Sequence, residues 1–549
     1  MSLRPTPVPP VPAATALLAR QVFPRGHLYL TMRDTFETFF TDALFAPLFS
    51  LCGPPATTPW RLALVLILQF AEGLSDSQAA EAVRDRIAWK YLLALELNDP
   101  GFDPSVLSEF RTRLVEGGAE QLLLETLLTR FGEHGLLKAR GKQRTDSTHV
   151  LAAARLLNRL ELVGETMRCA LDALAEAAPE WLAARLPAEW VERYGRRFTD
   201  WRLPTRPRER EALADTVGAD GEALLALLAA AAAPTPLGTL PAVAVLRQVW
   251  EQQYVRAGAG RRFRPAEELP PAAQLIASPH DPEARCGKKR ETVWVGYKVQ
   301  FTETCDAELP HLITDVQTLP APTPDREGLG PAQAALARRE LLPATQLVDA
   351  AYPEGAALLQ SAQQYQIDLV GPVVENTTWQ ARAGQGFGTE AFAVDWPQRQ
   401  VTCPGGKQSA RWRETAADDR PVIKVFFAVE DCRACPCRPQ CTRSTTTGRS
   451  LTLPAQAVYE ALAAARTRQQ TAAFQSTYAA RAGIEGTHTQ AVRRCGVRQA
   501  RYVGAAKTHL QDLLTAAAIN FVRVGYWLRG AQPARTRQSR FTQLAAVPT

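Results

Sequence analysis

Three carboxylates stand where they could do chemistry on a phosphate ester. Asp146 in RTDSTHV and Asp349 in QLVDAAY each follow β-like residues, at points where a strand would emerge at a sheet edge. Glu485 is the one acid in TYAARAGIEGTHTQAVRRCGVRQARYVGAAKT, among Arg481, Arg493, Arg494, Arg498, Arg501 and Lys507. Magnesium favours a few carboxylates plus waters, and two ions ~3.5–4 Å apart can clamp the attacking and leaving oxygens of an in-line displacement at phosphorus. Taken singly, either aspartate reads as a turn or cap residue, and Asp315 and Asp325 are rivals of the same type. On a continuous helix at 100° per residue, Tyr478, Arg481, Glu485 and His488 share an arc of about 80°. Gly483 and Gly486 flank the acid, and glycine costs ~1 kcal/mol inside a helix, so the pair implies a close approach of backbone or ligand.

A second constellation is Cys432-x2-Cys435-x5-Cys441, preceded by Cys403 in TCPGG, a context that resembles a zinc knuckle. Thiolates at this spacing suit one tetrahedral structural Zn²⁺, with Cys437 as a spare ligand; reduced thiols in a loop are the plain alternative. Cys52, Cys169, Cys286, Cys305 and Cys495 read as ordinary small core residues. GAAKT at Gly504–Thr508 lacks the glycines of a phosphate-binding loop. Trp379, Trp396 and Trp412 could stack on an unpaired base, although Trp in a small β domain is usually core.

The elements that must position these groups follow from periodicity. Residues 28–137 read as helical. GLSDSQAAEAVRDRIAWKYLLAL has Ser75 and Gln78 at capping-box spacing, and FDPSVLSEFRTRL has Asp103 as N-cap with Pro104 at the first helical position. These two helices, bearing Arg84, Arg86, Lys90, Arg111 and Arg113, could form a helix-turn-helix-like DNA reader or a plain bundle. Strands are expected in KQRTDSTHVLA, VWVGYKVQFTE, LPHLITDVQTL, ATQLVDAAY and QIDLVGPVV, with PAQAALARREL helical between the third and fourth. In the second of them Val293, Val295, Tyr297, Val299 and Phe301 alternate with Trp294, Gly296, Lys298, Gln300 and Thr302. That order predicts an α/β domain with a mixed sheet. An Ala/Leu-rich helical insertion interrupts it, and a β-like stretch rich in Trp and Cys follows. A long helix starting after Pro454 and ending near Gly496, then a last helix over about Ala505–Leu528, complete the chain.

Net charge is +7, but residues 442–549 hold 15 Lys and Arg against 3 Asp and Glu, which points to a polyanion partner. MSLRPTPVPPVPAA reads as a Pro-rich disordered tail rather than a signal peptide, and LALVLIL falls far short of the ~20 residues of a membrane span. A cytoplasmic protein is expected, so its ten cysteines are not read as disulfides, and the four crowded into Cys432–Cys441 point to metal instead.

The three acids and their surroundings resemble the Asp-Asp-Glu triad of insertion-sequence transposases. SPHDPEARCGKKRETVWVGYKVQFTETCD, LVDAAY and YAARAGIEGTHTQAVRRCGVRQARYVGAAKTHLQ resemble the bacterial insertion-sequence 1182 group, and the likeness covers nearly the whole chain. It implies a ribonuclease H-like core in which Asp146, Asp349 and Glu485 bind two Mg²⁺ or Mn²⁺ ions. Tyr478, Arg481 and Glu485 match a Y-x2-R-x3-E signature, and the resemblance implies Tyr478, Arg481, Arg493, Arg494, Arg498, Arg501, Lys507, Arg111 and Arg113 as DNA contacts. The lysine expected seven residues after the glutamate is replaced by Val492, leaving Arg493 or Lys507 for that phosphate.

The implied organisation is a disordered tail (1–25), a helical DNA-binding domain (26–137), and the first part of the catalytic domain (138–372, with its insertion at about 155–275). A β-rich insertion with a zinc knuckle (373–452), final helices carrying Glu485 (453–530) and a flexible basic tail (531–549) follow. The implied activity is Mg²⁺-dependent strand cleavage at element ends and transfer into target DNA by a homodimer bound to double-stranded DNA, near the bacterial nucleoid and away from membranes. The alternatives are a catalytically inactive repressor derived from such an enzyme, and a plain nuclease.

Overall fold

A computed structural model of the protein describes residues 1–230, 236–257, 260–289, 291–374, 378–382, 386–417 and 420–531. The basic tail expected beyond residue 531 lies outside the described residues. At the centre is a mixed sheet whose main strands are β1 (Lys142–Leu151), β2 (Thr292–Thr304), β3 (Ile313–Pro320), β4 (Thr345–Leu347) and β5 (Asp368–Val370). Their spatial order is β3-β2-β1-β4-β5, and a short strand, Arg285–Lys289, also pairs with β2. β2 runs antiparallel to β1 and β3, whereas β4 and β5 run parallel to β1. Parallel neighbours need crossovers, and helices Leu329–Arg338 and Gly355–Tyr365 supply them. All five segments expected as strands form this sheet. The alternation expected along β2 fails at Val293, which is exposed at the end flanked by Arg285–Lys289. Gly296 sits at φ 147° against β1, where a Cβ would fall 2.2 Å from the Val150 carbonyl oxygen.

Both faces of β1 are covered although its side chains are largely polar: Gln143, Arg144, Thr145, Asp146, Ser147 and Thr148 are all buried. Side chains alternate between faces. On one face Thr145 meets Thr302, Gln346 donates to Thr145, and Gln333 bonds Gln346 and Ser361, so a hydrogen-bonded ladder joins the sheet to its crossover helices. The other face carries Arg144, Asp146 and Thr148 opposite Glu303, Phe301 and Val299. The C-terminal helices lie over it.

The N-terminal helices share their core with the sheet. One hydrophobic cluster runs from Leu30 and Phe36 through helix Pro59–Glu72 to Val299 and Phe301, and on to Leu513–Val524. The last helix, Ala505–Leu528, is enclosed by both, which is why it is apolar almost all round. The Pro-rich start is not a loose tail. Ser2 donates to the Pro54 carbonyl, Arg33 to that of Pro9, Leu3 is buried, and Ala13–Val22 is helical. The sequence alone does not show that the groove awaiting these prolines exists.

The helical insertion, with helices Arg159–Ala177, Pro207–Ala229 and Pro241–Gln253, closes a separate core around Val163, Val217, Leu246 and Trp250. The cysteine-rich region folds around strands Arg411–Ala417, Arg420–Phe426 and Ser450–Pro454. Trp396 and Trp412 pack edge to face 5.7 Å apart against its small core.

Candidate active site

Asp146 is on the central strand and 5 % exposed. The parallel register pairs Arg144 with Leu347, and two residues further on brings Asp349 alongside Asp146, just past the end of β4. Asp349 is steadied by accepting the Ala351 N–H at 2.8 Å. Glu485 starts helix Ile484–Gln490.

The long helix expected between Pro454 and Gly496 is a chain of shorter pieces. Helices Gln456–Gln469 and Ala472–Tyr478 are followed by a 3₁₀ turn, Ala479–Gly483, then Ile484–Gln490, and a π turn, Ala491–Cys495, that stops at Gly496 with φ 68°. Arg144 causes part of this. Its guanidinium rises from β1 and donates to the Ala480 carbonyl at 2.6 Å, and a Cβ on Gly483 would lie 1.9 Å from its Nη1. The close approach at Gly483 is therefore a crossing side chain rather than the backbone or ligand expected, and nothing lies within 4 Å of the corresponding point at Gly486. Of the four residues expected on one face, His488 turns away. It is 6 % exposed, stacked 5.7 Å from Phe301, and burial lowers its imidazole to about 4.

Arg481 brings the three acids together. Its Nη2 lies 2.5 Å from Asp146 Oδ2 and 4.0 Å from Asp349 Oδ2, and its Nη1 lies 3.3 Å from Glu485 Oε1. The first two legs place the aspartate oxygens within 6.5 Å of each other. Burial raises the Asp146 carboxyl to about 6; the negative charges of Asp349 and Glu485 add to this, and Arg481 opposes it. Tyr478 is half-buried beside them, its hydroxyl raised by burial. Three carboxylates around one guanidinium are the hard oxygen donors that a small divalent cation takes, with the arginine as the resident positive charge between them and their oxygens not all within 4.8 Å of one another.

Sequence reasoning missed the layer that holds this arrangement in place. Glu303 is fully buried and accepts from Arg144 Nε at 2.7 Å, Thr487 Oγ1 at 2.6 Å and Arg523 Nη1 at 2.8 Å. Burial disfavours its charge, and Arg523 and Arg144 more than offset that, holding the carboxyl at about 2. Arg523 also bonds the His311 carbonyl, Gln490 and Thr487. Strand β2, helix Ile484–Gln490 and the last helix therefore meet at one carboxylate. A charged residue inside the β-pattern VQFTETCD was the available signal.

The basic residues divide into two groups. Arg111, expected at DNA, is 6 % exposed, with both Nη atoms on Asp76 and its guanidinium 4.9 Å from the Tyr502 ring. Arg113 lies over Phe49, and Arg84, Arg86 and Lys90 bond Pro100 and Phe102, Glu72, and Glu96 and Asp99 respectively. The stretch after Ser75 forms two helices, Asp76–Asp85 and Ile87–Leu92, and with Ser105–Glu116 they are bundle elements: Lys90 and Arg111 are buried and Arg113 is half-buried, while Arg84 and Arg86 are exposed but bonded within the bundle; the capping box of Ser75 and Gln78 forms as expected. Arg494 and Arg501 donate to the Ala71 and Leu74 carbonyls, fastening the C-terminal segment to the end of helix Pro59–Glu72, where cations suit the helix dipole. Arg493, Arg498 and Lys507 are exposed, and Arg498 reaches Thr148 on the face of β1 that carries Asp146.

Cys403, Cys432, Cys435, Cys437 and Cys441 line one pocket. Backbone N–H groups of Lys407 and Arg449 point at the sulfurs of Cys403 and Cys432, at 3.4 and 3.3 Å, as they would at thiolates. Burial raises the Cys441 thiol, and Cys432, Cys403 and Cys435 add to the shift against Arg449. The donors fit a thiolate-bound cation, though the sulfurs are not drawn into a tight trio.

Residues 402–525 match the family described as Transposase DDE domain, and residues 18–113 the family described as Transposase domain (DUF772). The first match spans the cysteines, Arg481 and Glu485, and leaves Asp146 and Asp349 outside it. No curated protein and no solved structure matches the chain. The two matches indicate a transposase of the DDE family, an enzyme acting on DNA. Among the described residues no helix is long and apolar enough to cross a membrane.

Proposed function

We propose that the protein cleaves DNA strands at the ends of an insertion sequence and transfers them into target DNA, with Asp146, Asp349 and Glu485 holding the divalent cations. The observation that carries this reading is the meeting of three acids from three separate elements on the single guanidinium of Arg481. Two Mg²⁺ or Mn²⁺ ions, when bound, activate the attacking oxygen and stabilise the leaving one. Asp146 fixes the centre of the site because a buried strand cannot move it, and Asp349 closes one side from the parallel neighbour. Glu485, 63 % exposed, faces the incoming backbone. Arg481 counters the mutual repulsion of the acids and would supply positive charge next to the phosphate that they address. Arg498, Arg493 and Lys507 supply positive charge to the DNA backbone at the open side.

The strand order β3-β2-β1-β4-β5, with Asp146 on the central strand and Asp349 just past the end of its parallel neighbour, supports a ribonuclease H-like core. The bundle beside it supports the N-terminal domain of such an enzyme. Binding of paired terminal inverted repeats by a homodimer belongs to the same reading, as does one Zn²⁺ held by Cys403, Cys432, Cys435 and Cys441.

The test incubates the full chain with labelled element ends and Mg²⁺ and follows nicked and joined products. Glu485→Gln and Asp349→Asn are expected to lower cleavage by on the order of 10²–10³-fold while DNA affinity is kept. Cleavage by Glu485→Gln near the original rate overturns the assignment. Binding without any cleavage by the unaltered chain favours the repressor.

A further inference from the structure

We propose that Glu165, Cys169 and His280 form a second metal site, for a borderline-soft divalent cation of the Zn²⁺ type, which fastens the helical insertion to the loop entering the sheet. Helix Arg159–Ala177 carries Glu165 and Cys169 one turn apart on one face, and His280 approaches them from the loop before strand Arg285–Lys289. One donor atom from each lies within 4.8 Å of the other two. His280 Nε2 is 3.2 Å from Glu165 Oε2, and Cys169 Sγ is 3.9 Å from His280 Nδ1. Zinc bonds of ~2.0–2.3 Å to O, N and S set tetrahedral edges of roughly 3–4 Å, so a small rotation of the ring brings one nitrogen into place.

The surroundings match what metal ligands require. The Glu165 side chain is 3 % exposed and its carboxylate is oriented by Arg168 and by the Phe198 N–H, the outer hydrogen bonds that hold a ligating carboxylate. The charge of Arg168 is met in turn by Asp172. With Cys169 as thiolate, the dication is then balanced by two ligand charges. His280, 44 % exposed, leaves a path for entry and a fourth position for water. Thiolate and imidazole select against Mg²⁺, so this site and the acid cluster would take different cations. Its place gives it a purpose. Asp281, the next residue, accepts from the Tyr297 hydroxyl on β2 at 2.7 Å and from the Gly504 N–H ahead of the last helix at 3.4 Å. A cation at His280 would hold the junction of insertion, sheet and C-terminal helix.

The test is zinc content and cobalt absorption of the full chain, compared with Cys169→Ser, His280→Ala and Cys432→Ser. Cys169→Ser and His280→Ala should each lose one equivalent of bound zinc, and Cys169→Ser should remove part of the thiolate-to-cobalt charge-transfer band. Both losses should persist when Cys432 is also replaced, which separates this site from the cysteine pocket. Unchanged zinc and an unchanged cobalt band in both single variants, each verified as folded by circular dichroism, would leave the three side chains as an ion-pair clasp and overturn the proposal.

Discussion

Asp146, Asp349 and Glu485 come from a central strand, the end of its parallel neighbour and a C-terminal helix, whereas Cys432, Cys435 and Cys441 come from ten consecutive residues. The acids are held by a frame that needs no ion: Glu303, Arg144, Arg523 and Thr487 are mutually satisfied, and Arg481 occupies the space between the carboxylates. The cysteines sit in a module whose buried apolar core, among the described residues, is six side chains. A site built from distant elements is stabilised by the fold around it. A site built from a short stretch leaves its module dependent on the ligand.

The largest effect should come from breaking the frame. Glu303→Ala leaves buried Arg144 and half-buried Arg523 without their shared carboxylate, and should cost about 3–5 kcal/mol in denaturant unfolding of the full chain. Loss of under about 1 kcal/mol would show that the frame is dispensable and the contrast false. The cysteine module should respond in the opposite way. Cys435→Ser should remove one zinc equivalent and lower the melting of the Trp396- and Trp412-containing module, while the sheet keeps its own transition by calorimetry. A single transition shifted as a whole would mean that the two regions are energetically one.

The basic residues sharpen the comparison on the DNA side. Arg498→Ala should flatten the salt dependence of DNA binding by about one unit, because an exposed arginine at the open side releases a counterion. Arg111→Ala should leave that slope unchanged and instead destabilise the bundle by about 1–3 kcal/mol, since it strips Asp76 of its bidentate partner. Equal slopes for both variants would remove Arg498 from the interface.

A pH-dependent effect concerns Asp512, fully buried on the last helix with Thr318 Oγ1 donating to it at 2.7 Å. Burial, only partly offset by Thr318, raises its carboxyl to about 8, so it is mainly neutral at pH 7. The folded chain keeps a proton that the unfolded chain releases near pH 4, and stability therefore falls as pH rises through the interval from about 4 to 8. Asp512→Asn should leave stability near pH 4 almost unaltered and flatten its decline toward pH 8. The same slope in both proteins would show that the acid is not the titrating group.

Much of this was legible because it is local. β-like runs marked the five strands, Ser75 with Gln78 marked a helix start that forms as written, and Ala505–Leu528 was bounded correctly by its own pattern. The cysteine spacing located a pocket, since neighbours in sequence stay neighbours in space. Local reasoning failed where a partner arrives from elsewhere. The helix after Pro454 breaks because Arg144, more than three hundred residues earlier, takes the Ala480 carbonyl. Arg111, Arg494 and Arg501 looked like phosphate contacts because a cation's type does not reveal whether an acid or a helix end will be folded against it.

The sequence by itself therefore determined the elements, the cysteine cluster and which acids were candidates, because propensity, period and short spacing act over a few residues. Only the tertiary structure decided which acids meet, which arginines remain free and which glycine is obligatory. Asp315 shows why. It is as plausible as Asp146 in its local sequence, yet it is 1 % exposed and paired with Arg339 on β3, one strand further from β1 than β2. Strand order and register, set by burial over the whole chain, put Asp349 and Arg481 beside Asp146 and gave Asp315 a structural partner.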